Sequence, residues 1–107
     1  MAFTLRQLQF FVAAAEQGSV SGAARMLSIS QSSVTEAIRA LEDDLGVTLF
    51  ERQARGLEIT HKGSAFLRHA RQILSDVAGA RQAFRDEAEQ ATGRLSLGVT
   101  SLVAGYV

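Results

Sequence analysis

Two runs compatible with helix lie on either side of a junction of only three residues, Ser28-Ile29-Ser30, and that junction restricts the fold more than any other stretch of the chain. The run before it, from about Ser21 to Leu27, carries Ala23, Ala24 and Leu27, and small residues let two helix axes approach closely. The run after it opens on Ser30, whose hydroxyl suits an N-cap because it accepts from a first-turn N–H that has no partner within the helix. Ile29 and Val34 stand at the two positions of a hydrophobic staple, and Gly46 lies just past the end, where a left-handed residue stops a helix. Two helices held together by so short a connection form a helix-turn-helix.

The rest of the chain is punctuated in the same way. Proline is absent, so helices should run between Gly18, Gly46, Gly56 and Gly93, and the fold should be mostly α. Thr4 and Gln7 have capping-box spacing, Phe3 and Leu8 staple spacing, and the apolar positions Leu5, Leu8, Phe11, Val12 and Ala15 share a face until Gln17-Gly18-Ser19 ends a first helix. Beyond Gly46 the period changes. Leu49-Phe50-Glu51-Arg52 and Leu57-Glu58-Ile59-Thr60 read as two short strands around the turn Gln53-Ala54-Arg55-Gly56. Thr60 then caps a helix expected to continue to about Ala91, longer than the roughly 10 to 14 residues usual in globular proteins and therefore expected to extend past the core. Arg94 to Thr100 alternates like a strand, and one strand cannot fold alone, so residues 93–107 read as a linker and the opening of a second domain.

Composition removes whole classes of function. A chain of 107 residues, 47% hydrophobic and 21% charged, suits one folded domain rather than a multidomain enzyme. With no cysteine there is no disulfide, thiolate zinc site or thiol nucleophile, and His61 and His69 are eight apart, off the spacing that puts two ligands on one helical face. No metal or cofactor is expected within this stretch. No apolar run approaches membrane-spanning length and the N-terminus has no basic-then-apolar leader pattern, so a cytoplasmic protein without membrane contact is expected. Eleven basic and eleven acidic residues cancel, yet between Arg52 and Arg71 five basic side chains (Arg52, Arg55, Lys62, Arg68, Arg71) face one acid, Glu58. A local positive patch results.

The helix after Ser30 buries Val34, Ile38, Leu41 and Leu45, which turns Ser32, Thr35, Glu36 and Arg39 outward with Gln31 on the first exposed turn. Glutamine can bond adenine bidentately, and serine or threonine can bond most base edges. Glu42, Asp43 and Asp44 crowd the C-terminal end, against the helix dipole, while Gln31, Ser32 and Ser33 leave the N-terminal end free of acid. That asymmetry suits a helix whose N-terminal end approaches phosphates and whose acidic end faces solvent. Arg52 and Arg55 flank a turn tip from which they could reach a groove or phosphates, or pair with Glu51 or Glu58. Lys62 opposes the dipole at the start of the long helix, which an approaching anion would offset. Along that helix Phe66, Ala70, Ile73, Val77, Ala80, Phe84, Ala88 and Ala91 recur every three or four residues as a seam, which either packs on this chain or pairs two copies.

Leu5-Arg6-Gln7-Leu8 with Phe11, Gly18-Ser19, Ala23-Ala24, Leu27, Ser30-Gln31, Ile38, Leu41-Glu42, Leu45-Gly46, Leu49-Phe50-Glu51-Arg52, Gly56, Thr60 and Gly63 together closely resemble the N-terminal domain of LysR-type transcriptional regulators, over residues 3–92. The resemblance implies a winged helix-turn-helix, three helices and a two-stranded β-wing, over residues 1–60. A dimerisation linker helix over 61–92 and the start of an effector-binding domain over 93–107 would follow. It implies double-stranded operator DNA as partner, a homodimer or a larger tetramer at full length, and a small-molecule effector for the longer protein. By position Gln31, Ser32, Ser33 and Thr35 correspond to recognition-helix contacts, and Arg52, Arg55 and Gly56 to the wing. Two departures stand out: Ser32 replaces a frequent proline, and Glu36 stands where many members carry a basic or polar residue. A carboxylate there repels phosphate or accepts from a cytosine amino group. The competing readings are a protein-interaction module on the same scaffold, which would want an apolar outer face on the third helix, and an enzyme, for which no catalytic constellation is spaced.

Overall fold

In the computed structural model the described residues are 3–92, with side chains to residue 86. Helix α1 spans Leu5–Gln17, and its start is a complete capping box: Thr4 accepts from the Gln7 N–H and the Gln7 side chain accepts from the Thr4 N–H. Gly18, at φ 69°, ends it in the left-handed region. Ser19, which reads as part of that stop, also caps α2 (Val20–Leu27) by accepting from the Gly22 N–H at 2.9 Å, so α2 begins one residue earlier than its sequence suggests. Ser28 and Ser30 then turn the chain into α3 (Gln31–Leu45), with Ser30 accepting from the Ser33 N–H at 3.1 Å. A serine cap of this kind contributes about 1 kcal/mol relative to alanine.

The wing is the antiparallel pair β1 (Phe50–Gln53) and β2 (Gly56–Ile59), in register Phe50 with Ile59 and Gln53 with Gly56. That register shortens the turn to Ala54-Arg55. Gly56 adopts φ 140°, and a Cβ there would come 2.5 Å from the Gly18 carbonyl oxygen, which already accepts from the Leu57 N–H at 3.0 Å. The wing is thereby seated on the turn between α1 and α2.

Helix α4 runs His61–Thr92. Thr60 anchors its start: the hydroxyl donates to the Thr48 carbonyl at 2.6 Å and accepts from the Gly63 N–H at 2.9 Å. Gly63 is required by the same packing, since a Cβ would collide with the Leu49 carbonyl and Ile59. The core gathers Leu8 and Phe11 of α1, Ala23 of α2, Val34 and Leu41 of α3, Leu49, and Ala70 of α4, all fully buried. The Phe11 ring lies 5.3 Å from those of both Phe50 and Phe66, tying α1 to the wing and to α4. The chain divides after Leu74 into two units, so the first reaches into α4, past the boundary at residue 60 that the sequence suggests, because Phe66 and Ala70 belong to its core. The strand expected over 94–100 lies outside the described residues.

Candidate nucleic-acid interface

Helix α3 rests on Val34, Ala37, Ile38 and Leu41, with Leu45 only half-buried. Opposite that stripe Gln31, Ser32, Glu36 and Arg39 are exposed, with Thr35 half-buried beside them. Ser33 is drawn back towards the cap: its hydroxyl is 2.9 Å from that of Ser30 and it is half-buried, so it is less available to a ligand than its neighbours. The Ser32 hydroxyl lies 3.2 Å from Ser30 but remains exposed. The outward face is therefore polar throughout, unlike the apolar face that a protein-docking helix would present.

The acidic end of α3 does not simply face solvent. The Glu42 carboxylate accepts from the Leu49 N–H at 2.8 Å and the Phe50 N–H at 3.3 Å, fastening the first strand of the wing to α3. Hydrogen bonds to a charged acceptor of this kind are worth about 1.5 to 3 kcal/mol. The expectation that this cluster is turned to water thus holds poorly for Glu42. Its partners are seven and eight residues away, in a separate element, and no local pattern announces them.

In the wing Glu51 faces Glu58 across the ladder, and Gln53 donates to Glu58 at 3.0 Å. Arg52 and Arg55 are exposed and make no ion pair among the described residues, so the alternative of a pair with Glu51 or Glu58 is not realised. Lys62 is likewise exposed without an ion pair among those residues. Arg71, counted in the basic patch, is instead paired with Glu16 at 3.5 Å. Gly56 has a part in seating the wing, since it leaves room for the Gly18 carbonyl where any Cβ would collide. Thr35, Arg39 and Glu42 of α3 and Arg52 and Leu57 of the wing line a hollow of about 60 Å³ between the two elements.

The seam of α4 also splits. Phe66 lies tilted against Phe11 and edge-on to Phe3 at 5.9 Å, and Ile73 packs on the same cluster, both half-buried, while Ala70 is fully buried in this chain's own core and has no surface to give a dimer seam. Val77 is half-buried, while Ala80 and Phe84 are exposed, Phe84 by 74%. The side chains of Ala88 and Ala91 lie outside the described residues. Among the described residues no helix is long and apolar enough to cross a membrane.

An exposed polar helix presented by a helix-turn-helix, with an arginine-tipped hairpin fastened at its side, defines a winged helix-turn-helix DNA-binding domain. The sequence profile of the bacterial regulatory helix-turn-helix proteins of the lysR family matches residues 5–64. The chain is 52% identical over 97 residues to the HTH-type transcriptional regulator TfdS of Cupriavidus pinatubonensis, a match covering 87% of this chain and 32% of that protein. It superposes on the CbnR DNA-binding domain in its DNA complex with a TM-score of 0.75 at 45% identity, over 79% of this chain and 98% of the other. Full-length CbnR complexed with its target DNA gives a TM-score of 0.70 at 48% identity, over 79% of this chain and 29% of the other. The chain belongs to the lysR family of transcriptional regulators and comprises its DNA-binding domain. It spans about a third of the length of the curated relatives it matches.

Proposed function

We propose that this chain is the operator-reading end of a sequence-specific regulator that inserts the N-terminal half of α3 into the major groove. The observation that carries the reading is the exposed polar ridge of Gln31, Ser32, Glu36 and Arg39 beside two wing arginines that have no ion pair among the described residues. Gln31, Thr35 and Glu36 read base edges; Ser32 contacts the adjoining backbone; Arg39, Arg52, Arg55 and Lys62 contact phosphates. Two chains associate through the distal face of α4, with Val77, Ala80, Phe84 and Ala88 supplying the contact. Residues 1–60 with the start of α4 form the reading domain, the rest of 61–92 the linker helix, and 93–107 begin a domain that binds a small-molecule effector in the longer cytoplasmic protein. A homodimer, or a tetramer at full length, is the working form, and the role is regulatory rather than catalytic.

Selection from a randomised half-site library at fixed salt tests this assignment. Gln31→Ala should cost about 1 to 3 kcal/mol at the preferred site while leaving non-specific affinity nearly unchanged. Arg52→Ala or Arg55→Ala should weaken binding to every duplex and flatten the salt dependence by roughly one unit for each phosphate that is no longer neutralised. Retention of the wild-type preference profile by Gln31→Ala, Thr35→Ala and Glu36→Gln alike would remove α3 as the reader.

A further inference from the structure

Helix α3 has two flanks, and the sequence motifs account for only one of them. At 3.6 residues per turn, Thr35, Ile38, Arg39 and Glu42 lie on one side of the ridge, where they line the hollow shared with the wing and Arg52. Ser33, Glu36, Ala37 and Ala40 lie on the other side, roughly half a turn away. There they line a second, open hollow of about 400 Å³, whose far wall is the start of α1: Thr4, Arg6, Gln7 and Phe10. Thr4 and Gln7 are committed to capping each other's backbone. Arg6 is the one cation in that lining. Its guanidinium carbon sits 5.5 Å from the centroid of the Phe10 ring, it is exposed, and it has no ion pair among the described residues.

The major groove is about 12 Å wide and a helix with its side chains about 10 to 12 Å across, so a helix that enters the groove has the phosphates of one strand along each flank. The wing flank carries Arg39 and Arg52 for one strand. On the other flank Glu36 repels phosphate, and a cation is needed there if the second strand is to lie close. Arg6 occupies that place. A cation in the first turn of α1 gains nothing from the helix dipole, which disfavours it by a few tenths of a kcal/mol. The cation–π contact with Phe10 holds the guanidinium beside the hollow while Arg6 stays exposed to solvent.

We infer that Arg6, outside the helix-turn-helix, is the phosphate contact for the DNA strand opposite the one held by the wing, so that α1 and the wing clamp the backbones on either side of α3. The inference rests on the DNA-binding reading above and adds to it a strand assignment. Arg6 also offsets Glu36 across their shared hollow, which makes the two residues energetically coupled on DNA.

The test is phosphate-ethylation interference on the duplex that the wild-type chain selects from a random library, read separately for each strand of a half-site. Arg6→Gln should abolish interference at phosphates of one strand, Arg52→Gln at phosphates of the other, and Arg6→Lys should keep the wild-type pattern. Arg6→Gln should also lower affinity roughly fivefold to tenfold and the salt slope by about one unit. Glu36→Gln, introduced into Arg6→Gln, should recover part of the affinity on a non-specific duplex, where the Glu36 carboxylate has no base partner and only repels phosphate. Thermal melting of each variant checks folding; if Arg6→Gln melts early, the strand pattern of Arg6→Lys at rising salt still decides, since a lysine bound to phosphate weakens on one strand only. Wild-type selection with an unchanged pattern in Arg6→Gln, or interference abolished on the same strand as in Arg52→Gln, overturns the inference alone. A wild-type chain that selects no duplex overturns the DNA-binding reading and the inference with it.

Discussion

The two halves of α4 carry the same apolar rhythm and meet different fates. From Gly63 to Leu74 the apolar positions are taken up by this chain: Phe66 sits against Phe11, Ala70 is buried in the core, and Ile73 and Leu74 pack on the same cluster. From Ser75 onward Val77 is half-buried and Ala80 and Phe84 are exposed. Periodicity in a sequence records that a stripe is apolar. It does not record what covers it, and in one continuous helix the cover changes from the chain's own core to a surface that the core leaves open. An aromatic side chain left 74% exposed on a regular apolar stripe is the feature that a second copy would remove from water.

The largest effect should come from the first half. Phe66 joins Phe3 and Phe11 and is only half-buried, so Phe66→Ala should destabilise the unit ending at Leu74 by about 3 kcal/mol, the low end for removing a core phenylalanine. Phe84→Ala should leave that unit within about 0.5 kcal/mol of wild type, as surface substitutions do. Urea unfolding at two protein concentrations measures both. Equal destabilisation by the two variants would erase the distinction between the halves.

A smaller effect, on association rather than folding, should follow from Phe84→Glu. Placing a carboxylate where two apolar faces meet should weaken the dimer by at least about tenfold, because that charge must be desolvated without a partner. Sedimentation at tens of micromolar, on the order of concentrations at which weak dimers assemble, should then show mostly monomer. An association constant equal to wild type would move the interface elsewhere on the chain.

Much of the fold and of the α3 ridge is legible in the sequence, for identifiable reasons. The Thr4-Gln7 capping box, the Ser30 cap and the glycine at 46 are local, so a few consecutive residues carry the whole signal. The same holds for the α3 ridge, since a buried stripe fixes its opposite face. What escapes the sequence depends on partners from other elements. Glu42 reads as a poorly placed acid until the Leu49 and Phe50 N–H groups are seen to donate to it. Gly56 reads as turn chemistry until the Gly18 carbonyl appears beneath it. Arg6 has no role of its own in the sequence patterns, and gains one only where the start of α1 walls the second flank of α3.

The smallest expected effect tests which face of the distal helix is covered. Among the described residues nothing lies within 4 Å of where a Gly79 Cβ would be, so none of them opposes an alanine there. It also lies roughly opposite the stripe of Val77 and Phe84, since five residues before Phe84 is well over a third of a turn from it at 3.6 residues per turn. Alanine exceeds glycine in helix propensity by about 0.8 to 1.0 kcal/mol. Gly79→Ala should therefore raise the helicity and the melting temperature of residues 75–92 while leaving the dimer as tight as wild type or slightly tighter. Circular dichroism and sedimentation on the same samples read the two quantities. A variant that gains helix but associates more weakly would mean that the partner packs on the glycine side, where a close approach needs the missing methyl, and the Val77 and Phe84 stripe would then require a different cover.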